Sequence, residues 1–290
     1  FILGIMNNLE KDDKSIIISP TRELAKQIYK VAIEIAKYSN LKIGIYIGGT
    51  NIVDDFNNIN KCNIIIGTIG RINHILMKKK YLYNKIKIFV CDEADNIFNN
   101  LNNDIDNIIN NINKNTQKIL ISATINNYIL TVSNKILNNP IKILLKKSEV
   151  AVDLISQFYI NTEMEEYKLD VLLDLYNILS TTQVIIFCNT IRKVEWLSLE
   201  LTKKNFAITS IHSKMSQDER NLIVNDFREG KTRLLLTTDL LSRGIDIPQV
   251  NLVINYDLPI NKETYIHRIG RCGRFGKKGV SISMIKMNDS

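Results

Sequence analysis

Two runs of strand and helix in alternation, with one pause between them, constrain this chain more than any other feature. In the first run, SIIIS (15–19), KIGIYI (42–47), NIIIG (63–67), KIFVC (87–91), KILIS (118–122) and IKILL (141–145) are short β-branched stretches. Their length and composition predict buried strands. Between the first two, Leu24, Ile28, Val31 and Ile35 recur at helical spacing, with Glu23, Lys26, Lys30 and Glu34 on other faces. Strand, helix, strand in succession requires a parallel sheet with right-handed crossovers. The pattern pauses at KKSEVAVDL (146–154), a polar stretch with no period, and then restarts. SQFYI (156–160), VIIFC (184–188), AITSIH (207–212), RLLLTT (233–238), LVINY (252–256) and VSISM (280–284) read as strands, and residues 168–179 as an amphipathic helix. The expectation is an α/β chain of two domains, 1–145 and 155–290, joined by a linker at 146–154. Each would be a mostly parallel sheet with helices on both faces.

In such sheets ligands bind beyond the carboxyl ends of the strands, and polar clusters stand at several of those ends. SPTREL, CDEAD, ISAT and TTD each follow a strand. CDEAD places Asp92, Glu93 and Asp95 within four positions. Like charges this close disfavour each other's ionised forms unless a cation sits among them. A hard, oxygen-liganded ion such as Mg²⁺ fills that role; the alternative is an acidic loop that happens to follow a strand. Four polar clusters at equivalent strand ends favour a site.

Composition limits the partners. The net charge of +8 suits a polyanion such as nucleic acid, although lysine, asparagine and isoleucine are abundant throughout. No apolar run approaches the length of a membrane helix, so no membrane partner is expected. The four cysteines, Cys62, Cys91, Cys188 and Cys272, form no Cys-x-x-Cys pair. That argues against zinc and disulfides and for a reducing compartment, cytoplasmic or nuclear. Phe1 is not an initiator methionine, and FILGIMNNLE lacks the basic flank of a signal peptide. The chain reads as the inside of a longer protein. Aromatics make up 7% and none punctuates the polar clusters, which disfavours a base-stacking platform.

Taken in order, PTRELA (20–25), GG (48–49), GTIGR (67–71), DEAD (92–95), SAT (122–124), IIFCNT (185–190), TTDLLSRGIDIP (237–248) and HRIGRCGRFG (267–276) resemble the DEAD-box ATP-dependent RNA helicases over the whole chain. IGGTN, QFYINTEMEEYKLDVLLDLY and NYDLP look most like the branch of translation initiation factor 4A and its exon-junction relative. The resemblance implies two RecA-like domains that bind ATP, Mg²⁺ and single-stranded RNA or a short duplex, in a monomer assisted by adaptor proteins of the initiation or exon-junction type. It implies that Asp92 holds Mg²⁺, that Glu93 activates the attacking water, and that Asp95 links to Ser122 and Thr124 to couple catalysis to RNA binding. By the same resemblance Arg271 and Arg274 act as arginine fingers; three apart, they would share a face if helical. Asp246 meets the ribose, with Gly244 beside it, and His267 joins the coupling network. RNA contacts fall to Pro20, Thr21, Arg22, Gly49, Thr68, Gly70 and Arg71 in the first domain and to Asn189, Arg220 and Thr238 in the second. These would grip sugar and phosphate and carry no base code.

The sequence departs from that pattern in three places. No G-x-x-x-x-G-K-[ST] loop occurs in the 290 residues, so the expectation is a piece lacking that loop, unable to hydrolyse ATP by itself. Ile69 stands where proline is usual, and HSKM (212–215) replaces the usual HGDM. The implied activity is an RNA-stimulated ATPase that unwinds short duplexes in translation initiation or mRNA processing. The alternative is an ATP-locked clamp that holds RNA for other proteins.

Overall fold

A computed structural model describes residues 1–99, 103–125, 127–144, 154–178, 183–242, 250–273 and 276–287. The chain divides into two compact units, Phe1–Leu144 and Leu145–Ser290. The expected linker, 146–154, falls outside the described residues except for Leu154.

The first unit opens with α1 (Ile2–Asn8) and β1 (Lys14–Ser19). It continues through α2 (Arg22–Ile35), β2 (Ile43–Tyr46), α3 (Ile52–Asn58), β3 (Ile64–Thr68) and α4 (Ile69–Lys78). β4 (Ile86–Cys91), α5 (Ala94–Asn99), α6 (Asn103–Asn111), β5 (Gln117–Leu120) and α7 (Asn127–Ile136) complete it. The strands form one parallel sheet in the order β2-β3-β1-β4-β5. Side chains alternate across a strand, and isoleucines at consecutive positions therefore feed two cores. Ile16, Ile18, Ile65 and Phe89 face Ile72, Ile75, Ile105 and Ile108 of α4 and α6. Ile17, Ile64, Ile66 and Val90 face Ile5 of α1 and Leu24, Ala25, Ile28 and Ala32 of α2.

The second unit runs β6 (Ile155–Asn161), α8 (Lys168–Ile178), β7 (Gln183–Phe187), α9 (Ile191–Lys203), β8 (Ile208–Ile211) and α10 (Gln217–Arg228). It ends with β9 (Leu234–Thr237), β10 (Val250–Asn255), α11 (Lys262–Ile269) and β11 (Gly279–Ile285). Its parallel sheet has the order β6-β11-β10-β7-β9-β8. Ile185, Phe187, Leu235 and Val253 pack against Phe227 and Ile269 on one face. Val184, Ile186, Leu234 and Leu252 pack against Leu172, Val194, Leu197 and Leu201 on the other. No described helix is long and apolar enough to cross a membrane.

Three expectations are corrected here. Residues 141–144 of the predicted strand IKILL form no strand; Ile141 and Ile143 are 91% and 87% exposed. A strand exists only where a neighbour completes its hydrogen-bond ladder, and β-branched composition supplies no neighbour. In α2 the buried stripe is Leu24, Ala25, Ile28 and Ala32, whereas Val31 and Ile35 are exposed. The alanines let the helix lie close to β2 and β3, which turns the two larger residues outward. Finally, α11 stops at Ile269, so Arg271 lies in the turn that follows and not on a helical face. The N–H groups of Arg271 and Cys272 reach back only three residues, to Arg268 and Ile269, and Gly273 leaves the turn at φ +70°. Arg274 lies outside the described residues.

Candidate functional site

Sheet register decides which sequence clusters become neighbours. In the first unit Ser19 pairs with Thr68, Ile18 with Cys91, Tyr46 with Gly67, and Cys91 with Leu120. The segments that follow these strands therefore form one continuous rim at the carboxyl edge. In sheet order they are Ile47–Gly49, Thr68–Arg71, Pro20–Arg22, Asp92–Asp95 and Ser122–Thr124.

The rim is built by local hydrogen bonds. Thr21 caps α2, its Oγ1 accepting from Leu24 N at 3.2 Å. This fixes the first turn and sets Arg22 beside the two glycines. A Cβ at Gly48 would lie 2.9 Å from Arg22 Nη2, and one at Gly49 3.1 Å from Nη1. Gly49 also takes φ +90°, a backbone state that side chains with a Cβ rarely adopt. The guanidinium thus rests on a turn that only glycines permit. Arg71 of α4 is ion-paired with Asp55 of α3 and donates to Thr50 O at 3.0 Å. Thr68 occupies the N-cap position of α4 without a side-chain cap bond, and Gly70 follows in its first turn. Thr68 and Arg71 are partly buried, and Gly70 is open to its surroundings apart from Asp104 Oδ2, 3.6 Å from where a Cβ would sit.

Asp92 follows β4, anchored by its N–H to Ile18 O at 2.9 Å. Its Oδ1 accepts the N–H of Glu93 at 3.0 Å, and Glu93 takes φ +51°. A non-glycine residue in that region stores strain of about 1–3 kcal/mol, a feature concentrated at functional sites. Burial pushes the Asp92 carboxyl up; the Glu93 N–H opposes the shift and the Asp95 charge adds to it. Asp95 is fully buried on α5. It accepts from Ser122 Oγ at 2.8 Å and from Thr124 Oγ1 at 2.7 Å. Of the three carboxylates, then, Asp95 is tied to the segment after β5, and burial makes the Asp92 charge costly. Among the described residues no three His, Cys, Asp or Glu side chains form a metal cage. Mg²⁺ does not need one: it keeps several waters and takes one or two carboxylates with phosphate oxygens. The partly buried Asp92 fits that donor set.

In the second unit the rim centres on a residue that the sequence reasoning missed. Arg268 of α11 is 0% exposed. Its Nε donates to Asp239 Oδ1 at 2.6 Å, Nη1 to Asp257 O at 2.7 Å and Nη2 to Asn189 Oδ1 at 2.7 Å. Its guanidinium also lies 5.2 Å from the centre of the Phe187 ring. One side chain therefore ties together the segments after β9, β10 and β7. The signal available in the sequence was its place on the apolar stripe Tyr265, Ile269, Cys272, where a charge must find partners. Asn189 is oriented without ambiguity: Oδ1 faces a pure donor, and Nδ2 donates to Leu258 O at 2.7 Å. Thr238 caps the turn Asp239–Leu241, its Oγ1 accepting from Leu240 N at 3.5 Å. Arg220 lies in the first turn of α10 and donates to Gln217 Oε1 at 2.9 Å. His267 is 3% exposed, and its carbonyl accepts from Arg271 Nε at 3.1 Å. Asp246 and Gly244 lie outside the described residues, as does Arg274.

A second group missed by sequence reasoning borders Asn189. Glu165 receives Lys193 at 2.5 Å and the buried Lys168 at 2.9 Å. Asp257 receives Lys193 at 2.7 Å. Burial raises the Glu165 carboxyl, but the hydrogen bonds from both lysines outweigh it and hold the group below its usual range.

Residues 1–132 match the DEAD/DEAH box helicase family, and residues 167–276 match the helicase conserved C-terminal domain. The chain belongs to the DEAD/DEAH box helicase family. It is 46% identical over 280 residues to the "ATP-dependent RNA helicase eIF4A" of Saccharomyces cerevisiae, covering 96% of this chain and 71% of that protein. It is 43% identical over 295 residues to "Eukaryotic initiation factor 4A" of Caenorhabditis elegans, covering 100% and 73%. Among solved structures, S. cerevisiae Dbp5 bound to RNA and ADP BeF3 superposes with a TM-score of 0.89 at 35% identity, covering 99% of this chain and 75% of that one. The two sheets are therefore the two RecA-like domains of a DEAD-box protein.

Proposed function

We propose that this chain is part of an ATP-dependent RNA helicase that separates short duplexes by gripping the backbone without reading bases, in translation initiation or mRNA processing. The observation that carries it is the first-unit rim. Five separate sequence clusters lie side by side along one sheet edge, the edge at which parallel sheets bind ligands. Thr21, Arg22, Thr68, Gly70 and Arg71, with Pro20 and Gly49, form its phosphate-gripping stretch. Asn189, Arg220 and Thr238 take that part in the second unit. If about five phosphates are neutralised, log affinity falls with log salt at a slope of roughly −3.5.

Asp92 holds the Mg²⁺ that accompanies ATP, and the metal's contribution is to neutralise charge on the phosphate oxygens. Glu93 orients and deprotonates water. Arg271 and Arg274 stabilise the charge that develops on the transferred phosphoryl group, Asp246 and Gly244 sit at the ribose, and His267, whose carbonyl accepts from Arg271, belongs to the coupling network. Asp95, hydrogen-bonded to Ser122 and Thr124, transmits the state of the Asp92–Glu93 turn to the segment after β5.

The 290 residues contain no G-x-x-x-x-G-K-[ST] loop, and by themselves they bind RNA without turning over ATP. The test is a pair of ATPase assays. The 290-residue chain alone should show no RNA-stimulated hydrolysis. The same chain preceded by the loop-bearing segment of the yeast relative should show it. In that extended protein Glu93→Gln should lower turnover about 10²-fold or more, and Arg271→Ala about 10³-fold, with RNA still bound. Hydrolysis by the 290 residues alone would remove the role assigned to the loop. An extended protein that binds RNA without turnover would support the clamp and remove the helicase.

A further inference from the structure

At the opposite edge of the first sheet lies a pocket that none of the family motifs reaches. It has a volume of about 240 Å³ and is lined by Lys11, Lys14, Lys42, Lys61 and Lys85, with Asp12 as the one acid. The lysines begin β1 or lie one to three residues before β1, β2, β3 and β4, so they converge at the amino ends of the strands. Five lysines against one aspartate give the lining a charge of +4, half of the chain's +8. The nearby acids Glu10 and Asp13 are taken up by Lys87, at 3.7 and 2.9 Å. Lys11, Lys42, Lys61 and Lys85 are exposed, and none of them is ion-paired among the described residues.

The pocket is built rather than accidental. Lys14 is 6% exposed, and its ammonium donates to the carbonyls of Cys62 at 2.5 Å and Asn60 at 3.0 Å. Burial holds it below the usual lysine range, with the charge of Lys85 acting in the same direction. Asn63 clamps the walls together: Nδ2 donates to Lys11 O at 2.9 Å and Oδ1 accepts from Lys42 N at 3.1 Å.

We infer that this lysine pocket is a second phosphate-binding site that holds a flanking stretch of the RNA bound at the rim. Lysine binds phosphate as a compact point charge, and five lysines against one aspartate suit the evenly spaced charges of a phosphodiester backbone. No aromatic that could anchor a peptide lines the pocket. β1 spans roughly 20 Å at ~3.3 Å per residue, so only an RNA longer than the rim alone accommodates can reach around to it. The inference rests on the proposal that the rim binds RNA.

The test is the salt dependence of binding by the 290-residue chain to two oligouridylates, of about 6 and about 25 nucleotides, bracketing a single-strand site size. Lys11→Gln, Lys42→Gln, Lys61→Gln and Lys85→Gln are combined, with Lys14 kept because its bonds are structural. At about 0.7 per phosphate the combined variant should flatten the long-RNA slope by up to roughly 2.8 and leave the short-RNA slope unchanged. An unchanged thermal midpoint establishes that the variant is folded. An unchanged slope on the long RNA would overturn the inference. So would a polyglutamate peptide whose binding depends on the four lysines while that of RNA does not. If the wild-type chain bound neither RNA, the rim itself would lose its proposed role, and the pocket would fall with it.

Discussion

Replacing Arg268 by methionine should unfold the second unit far more readily while sparing the first. The side chain is completely buried and reaches three acceptors on three different strand ends. Methionine fills a similar volume but leaves the buried Asp257 O unpaired, at about 1–3 kcal/mol; Asn189 is exposed, so water can replace the guanidinium at its Oδ1 and that arm adds at most about 1 kcal/mol. Asp239 is 48% exposed. Water can replace the lost guanidinium there, so that arm adds at most about 1 kcal/mol. The expected loss is about 1–5 kcal/mol, a large fraction of the 5–15 kcal/mol that holds an ordinary domain. Trp196, the single tryptophan, lies on α9 and makes fluorescence a reporter of the second unit. With a urea slope of about 1–3 kcal/mol/M, a loss of ~3 kcal/mol moves the fluorescence midpoint down by roughly 1–3 M. Arg268→Lys should recover less than half of this, because an ammonium cannot span the three acceptors that the guanidinium fork reaches. A shift below about 0.3 M for Arg268→Met, under ~1 kcal/mol by the same slope, would refute the claim that the guanidinium joins these strand ends.

Two further perturbations probe the first unit. Asp92→Asn should raise the thermal midpoint at neutral pH. The native carboxyl is raised by burial, so its favourable contribution is fully present below its unfolded value of 3.8 and is lost as pH rises through the native value. The gain over wild type should therefore fade as pH falls toward 3.8; a gain that is constant with pH would sink the electrostatic explanation. Gly49→Ala should destabilise the first unit by about 1–2 kcal/mol through its φ of +90° and weaken RNA binding by displacing Arg22; a neutral effect on both, read by urea melts and fluorescence anisotropy, would count against the glycine turn as a cradle for that guanidinium.

Alternation of β-branched strands with helical stretches was enough to predict two parallel α/β units, because a strand buried on both faces and a one-sided helix leave few other ways to cover apolar surface. It also placed SPTREL, CDEAD and ISAT along one edge of the first sheet, since segments that follow strands must emerge at one edge of a parallel sheet; Gly49 and Thr68–Arg71 were singled out only by the family resemblance. Tertiary structure decided what a local pattern cannot encode. Residues 141–144 have strand composition but no partner in the sheet, and α2 buries its alanines and exposes Val31 and Ile35. Arg271 left the helix because three-residue turns and Gly273 close α11 before it. Arg268 became the centre of the second unit because three strand ends, contributed by residues 189, 239 and 257, meet only once the sheet order is set. The lysine pocket arises in the same way, from residues between 11 and 85 that are far apart in the chain and adjacent only at the amino ends of paired strands. Spacing along the chain fixes which face of an element a residue occupies; the neighbours it meets there are fixed by strand order, which depends on the packing of all the elements together.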